Sequence, residues 1–83
     1  MKEFSKQYKN VLVTGGAGAI GYNLNQRLLG LGVRKLVIID DLSSGFLANI
    51  PTDKRVKFIK GDINDDKALK KCFDEKIDAV FHL

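Results

Sequence analysis

A chain of 83 residues with 45% hydrophobic and 29% charged side chains has room for one small domain with a thin core, and this balance excludes a disordered polypeptide. The net charge of +4 comes from 14 basic residues scattered between Lys2 and Lys76 among 10 acids, which excludes the clustered basic, aromatic-interleaved surface of a nucleic-acid-binding module. No apolar run nears the roughly 18 residues of a membrane span, the amino-terminal stretch lacks the apolar core of a secretory signal, and the single cysteine, Cys72, rules out an internal disulfide.

The expectation is therefore a cytoplasmic protein with neither membrane nor nucleic-acid partners. Residues 1–9, with Lys2, Lys6 and Lys9 and little apolar content, read as a flexible leader. Asn10 to Thr14 reads as a first strand. It runs into a turn with glycines at Gly15, Gly16, Gly18 and Gly21, and a helical pattern follows from 19 to about 29. Ile20, Leu24, Leu28 and Leu31 form the predicted sheet-facing stripe of that helix, with Tyr22, Asn23, Asn25, Gln26 and Arg27 off it.

Gly15, Gly18 and Gly21 suit a chain that must reverse sharply, admit a ligand to the backbone and pack a helix closely on a strand. The first N–H groups of a helix have no partner within it and carry the positive end of its dipole, so the guest implied is an anion such as a pyrophosphate. The next apolar run, Leu36-Val37-Ile38-Ile39, ends at Asp40, 19 positions beyond Gly21. That is close to the spacing of about 20 at which a dinucleotide fold sets an acid on the adenosine ribose. Unbroken apolarity in this second strand implies burial on both faces, as in a parallel sheet covered by helices.

Ser43-Ser44-Gly45 reads as a turn and 46–50 as a single helical turn broken at Pro51. Val56–Lys60 alternates apolar and basic residues, the pattern of a strand near a sheet edge, and ends at Gly61-Asp62. Asp65 or Asn64 caps a helix through Ala68, Leu69, Cys72 and Phe73, in which Cys72 is a packing residue. A fourth strand spans 77–83. Right-handed crossovers then give an α/β fold, a partial Rossmann-type parallel sheet in the order 3-2-1-4. The sequence stops at the carboxyl end of strand four, before any helix that would cover it. The expectation is a domain over 10–83, truncated from a longer protein or completed by association through the uncovered edge or face.

In order along the chain, four segments resemble the extended short-chain dehydrogenase/reductases, in particular their NAD-dependent epimerase/dehydratase members acting on nucleotide sugars. Thr14-Gly15-Gly16-Ala17-Gly18-Ala19-Ile20-Gly21 is similar to the family's Thr-Gly-x-x-Gly-x-x-Gly turn, and Asp40-Asp41-Leu42-Ser43-Ser44-Gly45 to its Asp-Asn-Leu-Ser-Ser-Gly segment, with Asp41 departing from the usual Asn. Gly61-Asp62-Ile63 resembles the segment after its third strand, and Phe81-His82-Leu83 the start of its His-Leu-Ala-Ala element.

The resemblance implies that amides around Ala19 and Ile20 hold the pyrophosphate of NAD and that Asp40 accepts the ribose hydroxyls. It further implies that Asp41 and Ser44 assist and that Asp62 with Ile63 contacts the adenine. Asp62 has an alternative reading as a plain turn residue, and for His82 a local hydrogen bond outweighs chemistry. A carboxylate at Asp40, with no Arg or Lys between Asp41 and Asp53, favours NAD over NADP. The family's catalytic Tyr-x-x-x-Lys pair is missing: four positions after Tyr8 and Tyr22 stand Leu12 and Gln26, so no catalytic residue is assigned. The implied function is the NAD-binding segment of a nucleotide-sugar epimerase, dehydratase or decarboxylase. The alternative is a non-catalytic dinucleotide-binding or sensor module acting through protein contacts.

Overall fold

Two strands whose side chains are apolar without interruption must be covered on both sides, and they take the centre of the sheet. The computed structural model describes residues 6–83 and contains four parallel strands: β1 (Asn10–Thr14), β2 (Lys35–Asp40), β3 (Val56–Lys60) and β4 (Ala79–His82), in the order β3-β2-β1-β4. Helix α1 (Ala19–Gly30) connects β1 to β2, a 3-10 turn (Leu47–Asn49) lies between β2 and β3, and α2 (Asp66–Phe73) connects β3 to β4. The expected strand order and the edge position of β3 are both observed.

Alternation along the central strands divides the core in two. Val11, Val13, Leu36 and Ile38 pack with Leu28 of α1 and Val33 on one face; Leu12, Val37 and Ile39 pack with Ile59, Ala68 and Cys72 on the other, under α2. Each face buries a row of residues at 0–2% exposure, which accounts for the unbroken apolar run in β2. Asp65 caps α2, its Oδ1 accepting from Lys67 N at 2.9 Å, while Asp66 in the first turn and Lys70 and Lys71 in the last complement the helix dipole. Cys72 is fully buried, and that burial raises its thiol pKa, so it is a packing residue.

Three boundaries differ from expectation. Of the expected stripe of α1, Leu28 is buried and Leu24 packs against the core, but Ile20 is 75% exposed and the other buried positions are Gly21 and Asn25. A glycine at Gly21 brings the helix so close to the turn that the small amide of Asn25, rather than a larger apolar group, fills the next position. The predicted leader ends sooner than Lys9: Tyr8 packs against the α1-side core and Lys9 O accepts from Arg34 N and Lys35 N, while residues 1–5 lie outside the described residues. Strand β4 begins at Ala79 because Asp78 turns its carboxylate to the amides of Lys9 and Asn10, at 3.0 and 2.8 Å, and Lys76 has a positive φ of 51°. On β4, Ala79 and Phe81 pack against the α1-side core, while Val80 on the opposite face is half exposed.

Candidate functional site

The carboxyl ends of the four strands converge on one edge of the sheet, and an open cleft lies there. Thr14 and Gly15 at the end of β1, Ile39, Asp40 and Asp41 at the end of β2, Gly61, Asp62 and Ile63 after β3, and His82 and Leu83 at the end of β4 line it. Residues separated by most of the chain thus become neighbours because parallel strands place their equivalent ends together. Of the predicted site residues, Gly15, Asp40, Asp41, Asp62 and Ile63 line this cleft. Gly18, Ala19, Ile20 and Gly21 form the entry to α1, and Ser44 lies exposed on the loop after β2, outside the cleft lining.

The glycines of the turn divide by physical cause. Gly15 has φ +71°, a left-handed conformation that favours glycine, and its N–H donates to Ile39 O at 2.8 Å. At Gly21 an added Cβ would stand 2.6 Å from the Gly16 backbone, so the helix can approach the turn only without a side chain there. Gly18 has neither reason: its φ is −82°, open to any residue, and an added Cβ would meet nothing closer than Gly15 O at 3.8 Å. It is also the N-cap of α1, with no side-chain cap and no acid in the first turn; Tyr22 N donates back to Gly18 O, and the amides before it face outward by the geometry of a helix start. Open space beside an uncapped, dipole-positive helix end fits an anionic group approaching the backbone.

Asp40 does two things at once. Its Oδ2 accepts from Ala17 N at 2.9 Å and its Oδ1 from Leu42 N at 2.7 Å, so the carboxylate pins the glycine turn and the start of the following loop. Each oxygen keeps a further acceptor position, which leaves the group able to receive a hydroxyl donor. Asp41 Oδ1 accepts from Ser43 N at 2.9 Å, and this bond, with one from the Ser43 hydroxyl, lowers its pKa. Asp62 Oδ1 accepts from Asn64 N, the local turn bond that sequence reading held as its alternative, and the residue still lines the cleft. Lys60, register partner of Asp40, is not part of the lining, so among the described residues the cleft presents three carboxylates and no cation from Arg or Lys.

His82 meets its expectation of a local hydrogen bond. Its Nδ1 lies 2.7 Å from Thr14 Oγ1, which also accepts from Leu83 N, and the pair ties the ends of β1 and β4 together beneath the cleft. Sequence reading missed four supports of the turn. Buried Asn25 donates from Nδ2 to Gly16 O at 2.9 Å; Asn49 Nδ2 and Phe46 N donate to Ala17 O at 2.7 and 3.0 Å; and Gly45 packs on Ala17, where an added Cβ would stand 2.7 Å from its carbonyl. The available signal was Asn49, a polar residue set between the apolar Ala48 and Ile50; Asn25, among the polar Asn23, Gln26 and Arg27, offered none.

Strand order 3-2-1-4, a glycine turn opening the first helix and an acid at the end of β2 define a Rossmann-type α/β protein. The chain belongs to the NAD dependent epimerase/dehydratase family, whose profile matches residues 11–83. It is 44% identical to UDP-arabinose 4-epimerase 1 of Arabidopsis thaliana, an alignment covering 88% of this chain and 19% of that protein. Among solved structures, an epimerase of Methanothermobacter thermautotrophicus superposes with a TM-score of 0.88 at 49% identity, over 100% of this chain and 25% of the other. The Bordetella bronchiseptica enzyme WbmF in complex with NAD+ and UDP superposes with a TM-score of 0.84 at 45% identity, over 95% of this chain and 24% of the other. The chain thus spans about a fifth of the length of the curated relative and about a quarter of the solved ones.

Proposed function

We propose that these residues form the NAD-binding segment of a nucleotide-sugar epimerase, dehydratase or decarboxylase whose catalytic residues lie outside them. The observation that carries the reading is Gly18: no conformational or packing demand of the fold requires a glycine there, and the space left open adjoins an uncapped helix start. In this reading the amides of Ala19 and Ile20 hold the pyrophosphate, with Gly15 and Gly21 shaping the turn. Asp40 accepts the adenosine ribose hydroxyls, with Asp41 and Ser44 beside it, and Asp62 and Ile63 border the adenine.

NAD, when bound, supplies reversible hydride acceptance at the sugar; the residues of this chain bind and orient it. The preference for NAD over NADP follows from charge, because three carboxylates around the cleft oppose a 2′-phosphate. Membership of the family and the bound NAD+ and UDP in the Bordetella relative support this reading, and a nucleotide sugar is the substrate class proposed for the whole protein. Calorimetric titration with NAD and with NADP tests it. Selective NAD binding is the expected result; equal affinity for both cofactors, or binding of neither, overturns it.

A further inference from the structure

We propose that Asn49 is a positioning residue for the cofactor, holding the carbonyl of Ala17 while Asp40 holds the N–H of the same residue. The inference rests on the NAD-binding reading and adds to it a residue that does not itself line the cleft. Ala17, fully buried, stands directly before Gly18 in the turn. Its N–H is taken by Asp40 Oδ2 at 2.9 Å, and its carbonyl by Asn49 Nδ2 at 2.7 Å and Phe46 N at 3.0 Å. Both acceptor positions of that oxygen are therefore filled, and both by the loop that follows β2.

The loop is built to reach it. Gly45 allows the close approach, since a Cβ there would stand 2.7 Å from the Ala17 carbonyl, and the 3-10 turn Leu47–Asn49 returns Asn49 to the same oxygen. Asn49 N also donates to Phe46 O, so the two donors that hold Ala17 are themselves joined. Asp41 and Ser44 lie in sequence between the two jaws, Asp40 and Asn49. The clamp thus sets the ribose-side loop and the pyrophosphate-side turn in one arrangement before any ligand arrives, and a site preorganised in this way loses less ordering entropy on binding.

The test is a double-mutant cycle on NAD affinity. Asn49→Asp keeps the side-chain volume but sets a carboxylate oxygen against Ala17 O; Asn49→Ala is the second variant, carrying the test should the first fail to fold. Each is combined with Asp40→Ala, and thermal melts confirm that all variants are folded at the titration temperature. In the otherwise native chain, loss of Asn49 is expected to weaken NAD about tenfold and to speed amide exchange at Phe46. In the Asp40→Ala background the further loss is expected to stay under about threefold, because one jaw is already open; a residue serving general stability alone would give the same loss in both. If the native protein binds NAD and folded Asn49 variants bind within twofold of it, the clamp is refuted and the cofactor reading stands. If the native protein does not bind NAD, both fall.

Discussion

Gly18→Ala separates stability from ligand binding at a single methyl group. In the ligand-free fold the new Cβ has no neighbour within 3.8 Å and the backbone, at φ −82° and ψ 179°, is ordinary for alanine. Replacing glycine at such a position restricts the unfolded chain by about 0.4–1 kcal/mol, a gain offset here because Gly18 is the N-cap of α1, where alanine serves less well than glycine. The two effects are of similar size, so Tm should shift by no more than a few degrees, at about 4–8 °C per kcal/mol in a chain this small. The same methyl lies where the pyrophosphate is proposed to approach, and overpacking by one carbon costs about 1–3 kcal/mol. At about 1.4 kcal/mol per tenfold, NAD should bind between about 5- and 150-fold more weakly. Gly21→Ala is the counterpart: its Cβ meets the Gly16 backbone at 2.6 Å, so melting temperature falls whether or not ligand is present. Differential scanning calorimetry with NAD titration reads both quantities. Undiminished NAD affinity in Gly18→Ala would refute the assignment of the open space to the cofactor; a large loss of Tm would refute the geometric argument beneath it.

Asp40→Ala should weaken NAD by at least tenfold, since a hydrogen bond to a charged group contributes about 1.5–3 kcal/mol and the carboxylate also holds Ala17 and Leu42; unchanged calorimetric affinity would sink the ribose assignment. Asp40→Ser combined with Asp41→Arg should move preference toward NADP, read as the ratio of the two dissociation constants. Asn25→Ala leaves the buried Gly16 carbonyl without its donor and should cost about 1–3 kcal/mol, visible as a lowered urea midpoint; a midpoint equal to that of the native chain contradicts the assignment. Asp53 is bonded through its carboxylate to the Arg55 guanidinium and backbone N–H, which lower its pKa from 3.8 to about 2. Because the folded value is depressed, the stability it contributes is present above 3.8 and is lost as pH falls toward about 2. Asp53→Asn should therefore flatten the pH dependence of unfolding in that window, and an identical acid profile would count against the pair.

Local pattern was enough to determine the elements and their order. Apolar runs, glycine punctuation and an acidic cap specify β2, the turn and α2 from residues adjacent in sequence, and right-handed crossovers leave 3-2-1-4 as the natural sheet order. The same local reading singled out Gly15, Gly18, Gly21 and Asp40, because each answers a demand that appears within one β-α-β unit. What only the tertiary structure decided is how the turn is held. Helical periodicity placed Ile20 on the sheet-facing stripe and Asn25 off it. The contact between Gly21 and Gly16 reverses both, because close approach leaves room for an amide that bonds Gly16 O. The Thr14–His82 link spans 68 positions and the Asn49–Ala17 link 32, and neither leaves a periodic trace. A hydrogen bond between distant residues depends on where two strand ends and a returning loop meet, and that meeting exists only once the sheet has formed.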